Sequence, residues 1–210
     1  MFFIFLGVVL FIGGNAISNP NLVFSKYSKT LKVVGAVFAI LGLTSSAVVQ
    51  VDAGEVGVQS VFGKVQSSTL NSGLNFVNPL AKVVVFDAKT QNYTMSSVHD
   101  EGDKAGDDAI RVLTKDGLEV FVDLTVLFRI IPSEAPHVLA EIGEDYKDKV
   151  VRPITRTMIR DNAVYYDAVG LYSLKRNEFQ QRIYTDIEKN FKKRGLVLEQ
   201  LLIRNINLPT

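Results

Sequence analysis

Residues 118–130 read LEVFVDLTVLFRI. Leu118, Val120, Val122, Leu124, Val126, Phe128 and Ile130 recur at period two, so they share one face of an extended strand. Glu119, Asp123, Thr125 and Arg129 take the other face, joined by Phe121 and Leu127. A strand with one wholly apolar side needs a covering layer. The sequence that follows predicts helices to supply it. Pro132–Ile142 suits a short helix, and Glu144–Tyr166 a longer one interrupted or started at Pro153. Leu174–Arg194 carries Phe179, Ile183, Ile187 and Phe191 at i+4 spacing. It closes on Lys192, Lys193 and Arg194 before Gly195, which places cations at the negative end of the helix dipole and a glycine at the cap. Leu196–Leu208 returns to strand and stops at Pro209. Upstream, Glu55–Val65 alternates like a half-buried strand with a turn at Gly63, and Lys82–Val98 offers a second strand region.

The N-terminal fifth is different in kind. Residues 1–51 hold three charges, Lys26, Lys29 and Lys32, and no acid. The remaining 20 Lys/Arg and all 22 Asp/Glu follow from Asp52 onward, a net of −2. That balance lacks the basic excess of a phosphate-neutralising surface, so nucleic acid is not an expected partner. Val33–Val51 runs 19 residues without a charge. As a helix it would span about 28 Å, close to the bilayer hydrocarbon thickness. Its anchoring side chains are Val33, Val34, Val37, Phe38, Ile40, Leu41, Leu43, Val48 and Val49. Thr44, Ser45 and Ser46 are accommodated by bonding to carbonyls of the preceding turn. A buried core helix is the alternative, but such helices are usually shorter and amphipathic.

Residues 1–18 form a second apolar segment, with Met1–Gly14 lacking the basic start and small-residue cleavage site of a secretory signal. It reads as a first transmembrane helix or as an interfacial anchor. The basic linker 19–32 should face the cytoplasm by the positive-inside tendency, with Lys26, Lys29 and Lys32 setting the topology. The soluble domain 52–210 then stands on the extracytoplasmic side.

Motifs for chemistry are few. Cysteine is absent, which excludes disulfides, thiolate metal sites and a cysteine nucleophile. His99 and His137 match no metal-pair or triad spacing. Gly57 to Lys64 fails as a phosphate loop, because five residues separate its glycines and Val65 stands where a hydroxyl is needed. The acidic loop His99–Asp108 does not fit a calcium loop and reads as a solvated hairpin tip. Asn92-Tyr93-Thr94 matches a glycosylation sequon by pattern alone. No cofactor, metal or catalytic residue is expected.

Six short motifs then occur in order along about 155 residues. They are Gly54–Val58 with Phe62–Val65; Leu70–Phe76, including Gly73, with Asn78, Pro79 and Leu80; Thr114–Gly117, including Asp116, leading into the long strand; Val150–Pro153, with Arg152 and Pro153; Tyr165, Tyr166 and Asp167; and Ile206–Pro209. In this order they resemble the SPFH, or Band 7, family of stomatins, prohibitins, flotillins and bacterial regulators of membrane-bound AAA proteases, closest to the prohibitin side. The resemblance implies an α+β fold in which a twisted, mainly antiparallel sheet is packed by helices behind one transmembrane helix or two. It implies a non-enzymatic scaffold in a bacterial inner membrane, self-associating into rings or cages with membrane lipids and a membrane-bound AAA protease as partners. Family members usually continue into a long coiled coil, whereas this sequence stops at Thr210, so either it is a fragment or assembly rests on the domain itself. A lipid-binding module without higher assembly is the alternative. A membrane-anchored hydrolase has nothing to recommend it, since Ser45 and Ser46 lie in the apolar run with no base nearby.

Overall fold

The computed structural model describes residues 2–17, 25–98, 101–104 and 106–207. The chain opens with two helices, α1 (Phe2–Ala16) and α2 (Ser28–Ser46). The second starts five residues before the charge-free run and ends five before its close. Val48 and Val49 therefore lie on a strand, β1 (Val48–Val51), rather than in the helix expected to contain them. β-Branched residues favour the extended backbone, and a partner strand is at hand: β1 pairs antiparallel with β4 (Gly73–Phe76).

Where one antiparallel sheet was expected, three form. Besides the β1–β4 ribbon, β2 (Glu55–Val61) lies between β3 (Lys64–Leu70) and β5 (Ala81–Asp87). The run 82–98 divides between sheets, since β6 (Gln91–Met95) joins the sheet built on β8 (Glu119–Ile130). There β6 and β7 (Ile110–Leu113) share one edge of β8 end to end, and β9 (Leu196–Asn207) takes the other edge. Leu208 and Pro209 lie outside the described residues.

The apolar face of β8 is as its period requires: Val120, Val122, Leu124, Val126, Phe128 and Ile130 are all fully buried. Leu118 departs from the stripe, half exposed and just outside the strand. The polar face is closed at its middle, where Asp123 and Thr125 are buried, while Glu119 is exposed and Phe121, Leu127 and Arg129 are partly so. Thr125 meets the hydroxyl of its cross-strand partner Thr94 at 2.9 Å, and Asp123 accepts from the Ser97 N–H at 2.9 Å. The covering helices are α3 (Ala135–Glu141), α4 (Arg152–Ala163), α5 (Ala168–Tyr172) and α6 (Arg176–Lys192). Phe179, Ile183, Ile187 and Phe191 of α6 are fully buried, as their spacing predicts, and Gly195 has the positive φ of a helix-ending glycine (+75°). Phe128 meets the rings of Tyr146 and Phe191 edge-on at 6.3 and 6.2 Å. Pro153 falls in the first turn of α4, where its missing N–H costs nothing, and a π-helical turn, Lys147–Val151, leads into it.

Candidate functional site

Helices α1 and α2 pack antiparallel along small residues spaced by seven. Gly7 and Gly14 of α1 are buried against Ser28, Gly35 and Gly42 of α2. A Cβ added at Gly7 would stand 2.5 Å from the Ala39 nitrogen and 2.7 Å from the Gly35 carbonyl oxygen. One at Gly35 would stand 2.7 Å from the Phe11 nitrogen, so only hydrogen atoms fit between the backbones. Small residues permit this close approach, which van der Waals packing and interhelical hydrogen bonds reward in lipid. The Ser28 hydroxyl adds such a bond, donating to the Gly14 carbonyl at 2.7 Å. Phe5, Val8, Phe11 and Ile12 of α1 and Val33, Val34, Val37, Ile40, Leu41 and Leu43 of α2 point outward and are exposed. Phe38 stacks on Phe3 with ring centroids 6.2 Å apart. By length and composition α2 suffices to cross a membrane, whereas α1 is shorter. Lys26 sits in the turn before α2, and Lys29 and Lys32 lie in its first turns, so the linker is partly helical. Thr44 and Ser46 bond back to carbonyls one turn earlier, as expected of hydroxyls in an apolar helix.

The motif residues divide between the two ends of the domain. Gly54, Gly57, Phe62, Gly63, Gly73 and Pro79 all belong to turns and close approaches around β1–β5. Gly57 is the clearest packing glycine: a Cβ there would press on Leu70 at 3.0 Å and on Val51 at 3.2 Å. Phe62 and Gly63 both have positive φ, 49° and 85°, and form the two-residue turn joining β2 to β3. Pro79 lies in the turn between β4 and β5, held by the Ala81 N–H on the Asn78 carbonyl at 2.8 Å.

Thr114, Asp116 and Tyr166 meet at the opposite end. The Thr114 hydroxyl donates to Asp116 Oδ1 at 2.6 Å, and this bond holds the Asp116 carboxyl below its ordinary pKa. Asp116 also accepts from the Ala168 N–H, and the Lys115 N–H donates to the Tyr166 carbonyl at 2.8 Å. The β7–β8 turn is thereby stapled to the start of α5. Tyr166 is buried, edge-on to Phe179 at 5.4 Å, and its hydroxyl donates to Glu178 at 3.0 Å.

Arg152 and Pro153 begin α4, and Arg152 there joins a cluster that composition does not announce. Asp108, buried, accepts from Arg152 and, at 2.7 Å, from Arg156. Its own bond to Asp108 raises the Arg152 pKa above its ordinary value. Asp108 is therefore no residue of a solvated tip. The acidic excursion is drawn onto the domain, with Asp103 accepting from the Thr94 N–H at 2.6 Å and Lys104 paired to Asp148 at 2.9 Å. It also links two strands on one edge of β8, so it is not a hairpin tip at all. Beside the cluster the Tyr93 hydroxyl is buried and makes no hydrogen bond among the described residues. Burial pushes its pKa up to about 12. The sequence signal for this clamp was Arg152, Arg156 and Arg160 at spacing four, one face of a helix.

Arg160 donates to the Arg111 carbonyl at 3.3 Å and Arg156 to that of Ala109, so α4 caps backbone of β7. An open groove of about 770 Å³ remains there, lined by Leu113, Val164 and Tyr165 with Arg111, Glu119, Arg160 and Asp161 around it. At the opposite edge of the sheet Gln180 and Tyr184 of α6 donate to the Leu201 and Leu198 carbonyls of β9. No three His, Cys, Asp or Glu side chains converge to hold a metal among the described residues. His137 pairs with Glu141 at 3.4 Å on α3, and His99 lies outside the described residues.

The profile of the family described as SPFH domain / Band 7 family matches residues 49–210. Prohibitin 1 of Bos taurus is 25% identical over 183 residues, covering 86% of this chain and 60% of its own length. The mitochondrial prohibitin complex protein 1 of Caenorhabditis elegans is 24% identical over 180 residues, 84% of this chain and 60% of its own. Prohibitin 1 of Drosophila melanogaster is 22% identical over 176 residues, 82% and 59% of the two chains. The chain thus spans about 60% of the length of these curated relatives.

Proposed function

This chain belongs to the SPFH domain / Band 7 family, and on that premise we propose that it is a membrane-anchored, prohibitin-like scaffold. In this reading α1 and α2 are a transmembrane hairpin with the Lys26, Lys29 and Lys32 end in the cytoplasm. The chain's N-terminus and its soluble domain then share the extracytoplasmic side of a bacterial inner membrane. The domain self-associates into closed rings or cages that organise a patch of membrane or regulate a membrane-bound AAA protease. The observation that carries the reading is the interlocked helix pair, apolar on its outer surface, ending one residue before the domain's first strand.

Several features support assembly between copies. Confinement to a bilayer raises effective concentration, so weak lateral contacts suffice. The name of the Caenorhabditis elegans relative describes a complex. Exposed Val169, Tyr172 and Leu174 at the α5 end offer apolar surface for a neighbour. Light scattering of the protein in mild detergent tests the proposal: a mass many times that of the 23.2 kDa chain is expected, and a strict monomer overturns it. Protease protection in sealed, oriented vesicles checks the side, with the domain shielded in inverted ones.

A further inference from the structure

One edge of the β8 sheet carries a groove and the other carries a knob. The groove of about 770 Å³ follows β7 and the end of α4, with Leu113, Val164 and Tyr165 exposed along it. Its walls are fixed: the Arg182 guanidinium lies 4.2 Å from the Tyr165 ring centre, and Arg160 bonds the Arg111 carbonyl. Arg111 is itself engaged, paired with Asp107 at 3.4 Å and laid over the Phe121 ring. That leaves Arg160 against two carboxylates, Glu119 and Asp161, which have no hydrogen bond or ion pair among the described residues. The groove therefore keeps an excess of negative charge.

The knob is the turn between α5 and α6. Val169 is 69% exposed, Tyr172 64% and Leu174 96%. Single exposed apolar side chains are ordinary on a protein surface, but a run of them in one turn forms a patch. The turn presents them rigidly, with the Ser173 N–H donating to the Val169 carbonyl at 3.1 Å and the Lys175 N–H to that of Gly170 at 3.0 Å. Lys175, next to Leu174, is exposed, and its ammonium has no partner among the described residues. Arg176 donates to the Ile203 carbonyl at 2.8 Å, which sets the knob beside β9, while the groove lies along β7. Asp116 ties the start of α5 to the β7–β8 turn, so both features stand at the same end of the domain.

Copies anchored in one membrane stand the same way up, so each reaches its neighbour by rotation about the membrane normal. One edge of a copy then meets the opposite edge of the next, at equal height. We propose that Leu174 of one copy seats in the groove of the next, against Leu113, Val164 and Tyr165. Lys175 is thereby brought to Glu119 and Asp161, cation to carboxylate. Unlike surfaces in contact make a heterologous interface, which leaves a free knob and a free groove until a ring closes. This pairing presupposes the self-association of anchored copies, and its test separates the two.

The chain contains no cysteine, so introduced thiols cross-link without background. Full-length Leu113→Cys, Leu174→Cys and the double variant are reconstituted in vesicles and treated with a short bis-maleimide. Both sites are more than half exposed, and circular dichroism verifies that each variant folds. The double variant is expected to give a ladder extending beyond dimers. Vesicles holding the two single variants together should stop at dimers, since each chain then offers a single thiol. Either single variant alone should give no product. Dimers from one single variant alone mean that like surface meets like, which overturns the pairing. Absence of product from the double variant and the mixed vesicles, while light scattering still shows a many-chain mass, overturns the pairing and leaves assembly standing on other contacts. Absence of product from a monomeric protein overturns assembly and pairing together. Leu174→Asp gives a second reading in detergent, because it sets a carboxylate against Glu119 and Asp161. It is expected to raise the concentration for half-assembly at least about tenfold, and an unchanged value overturns the pairing.

Discussion

Around β8 the protein buries whole side chains in a single continuous core running from Val56 to Ile206. Around β1 and β4 the core shrinks to Val51, Leu70 and Val77, while Leu74, Phe76 and Leu80 stand in the open. The two regions are close in sequence composition, both rich in Val, Leu and Phe, yet one hides its apolar residues and the other displays them. The difference follows from the surroundings each is built for. The β8 sheet lies under α3–α6, which remove its apolar face from water. Among the described residues the β1–β4 ribbon has no helix over it and leans on the end of α2 instead.

The largest effect should come from opening the β8 core. Phe128→Ala removes the ring that Tyr146 and Phe191 pack against, and should cost about 3–5 kcal/mol in urea unfolding followed in detergent. Asp108→Asn comes next. It leaves two guanidiniums facing a neutral amide, and about 3 kcal/mol is expected, at the low end for a broken buried pair, because the Arg152 side chain is 33% exposed. Val51→Ala in the small core removes two methyl groups and should cost about 1.5 kcal/mol. A loss as large as that of Phe128→Ala would erase the contrast between the two regions.

Tyr93 gives a pH test confined to the β8 side. Its folded pKa is raised, so above about pH 10, the ordinary tyrosine value, the folded state retains a proton that the unfolded chain gives up. Stability is then full below the unfolded pKa and falls as pH rises from about 10 to about 12. Tyr93→Phe should flatten that slope in thermal melts taken across alkaline pH. The smallest effect belongs to the ribbon: Phe76→Ser should change the free energy of urea unfolding in detergent by less than about 0.5 kcal/mol, since an exposed ring has no protein contacts of consequence to lose. A large destabilisation there would mean that the Phe76 ring packs on protein after all.

Much of the α6 and β8 architecture was legible because periodicity records which face is buried. The i+4 stripe from Phe179 to Phe191 and the period-two stripe from Val120 to Ile130 are both fully buried. The motif residues were legible as a set but not as a site, for the fold sends Gly57 and Phe62 to one end and Thr114, Asp116 and Tyr166 to the other. The Asp108 clamp was hidden because an acid in an acidic loop looks solvated, and its partners lie 44 and 48 residues away. Likewise the unbroken apolar run 33–51 conceals the change from helix to strand at Ala47. Both conformations bury such residues equally well, so hydropathy alone does not mark the boundary.

By itself, then, the sequence determined that an apolar, lysine-marked N-terminal segment precedes an α+β domain of the SPFH kind, because charge distribution, period and motif order are local properties of the chain. Tertiary structure decided where the helix stops and which small residues let α1 meet α2. It also decided that three sheets form instead of one, and that Phe62, Phe76 and Leu80 gather at the end of α2. Those outcomes depend on pairing between distant segments: Val48 leaves the helix because Phe76 is there to accept it as a strand partner. Backbone groups satisfied across 28 residues of chain leave no periodic trace in either segment.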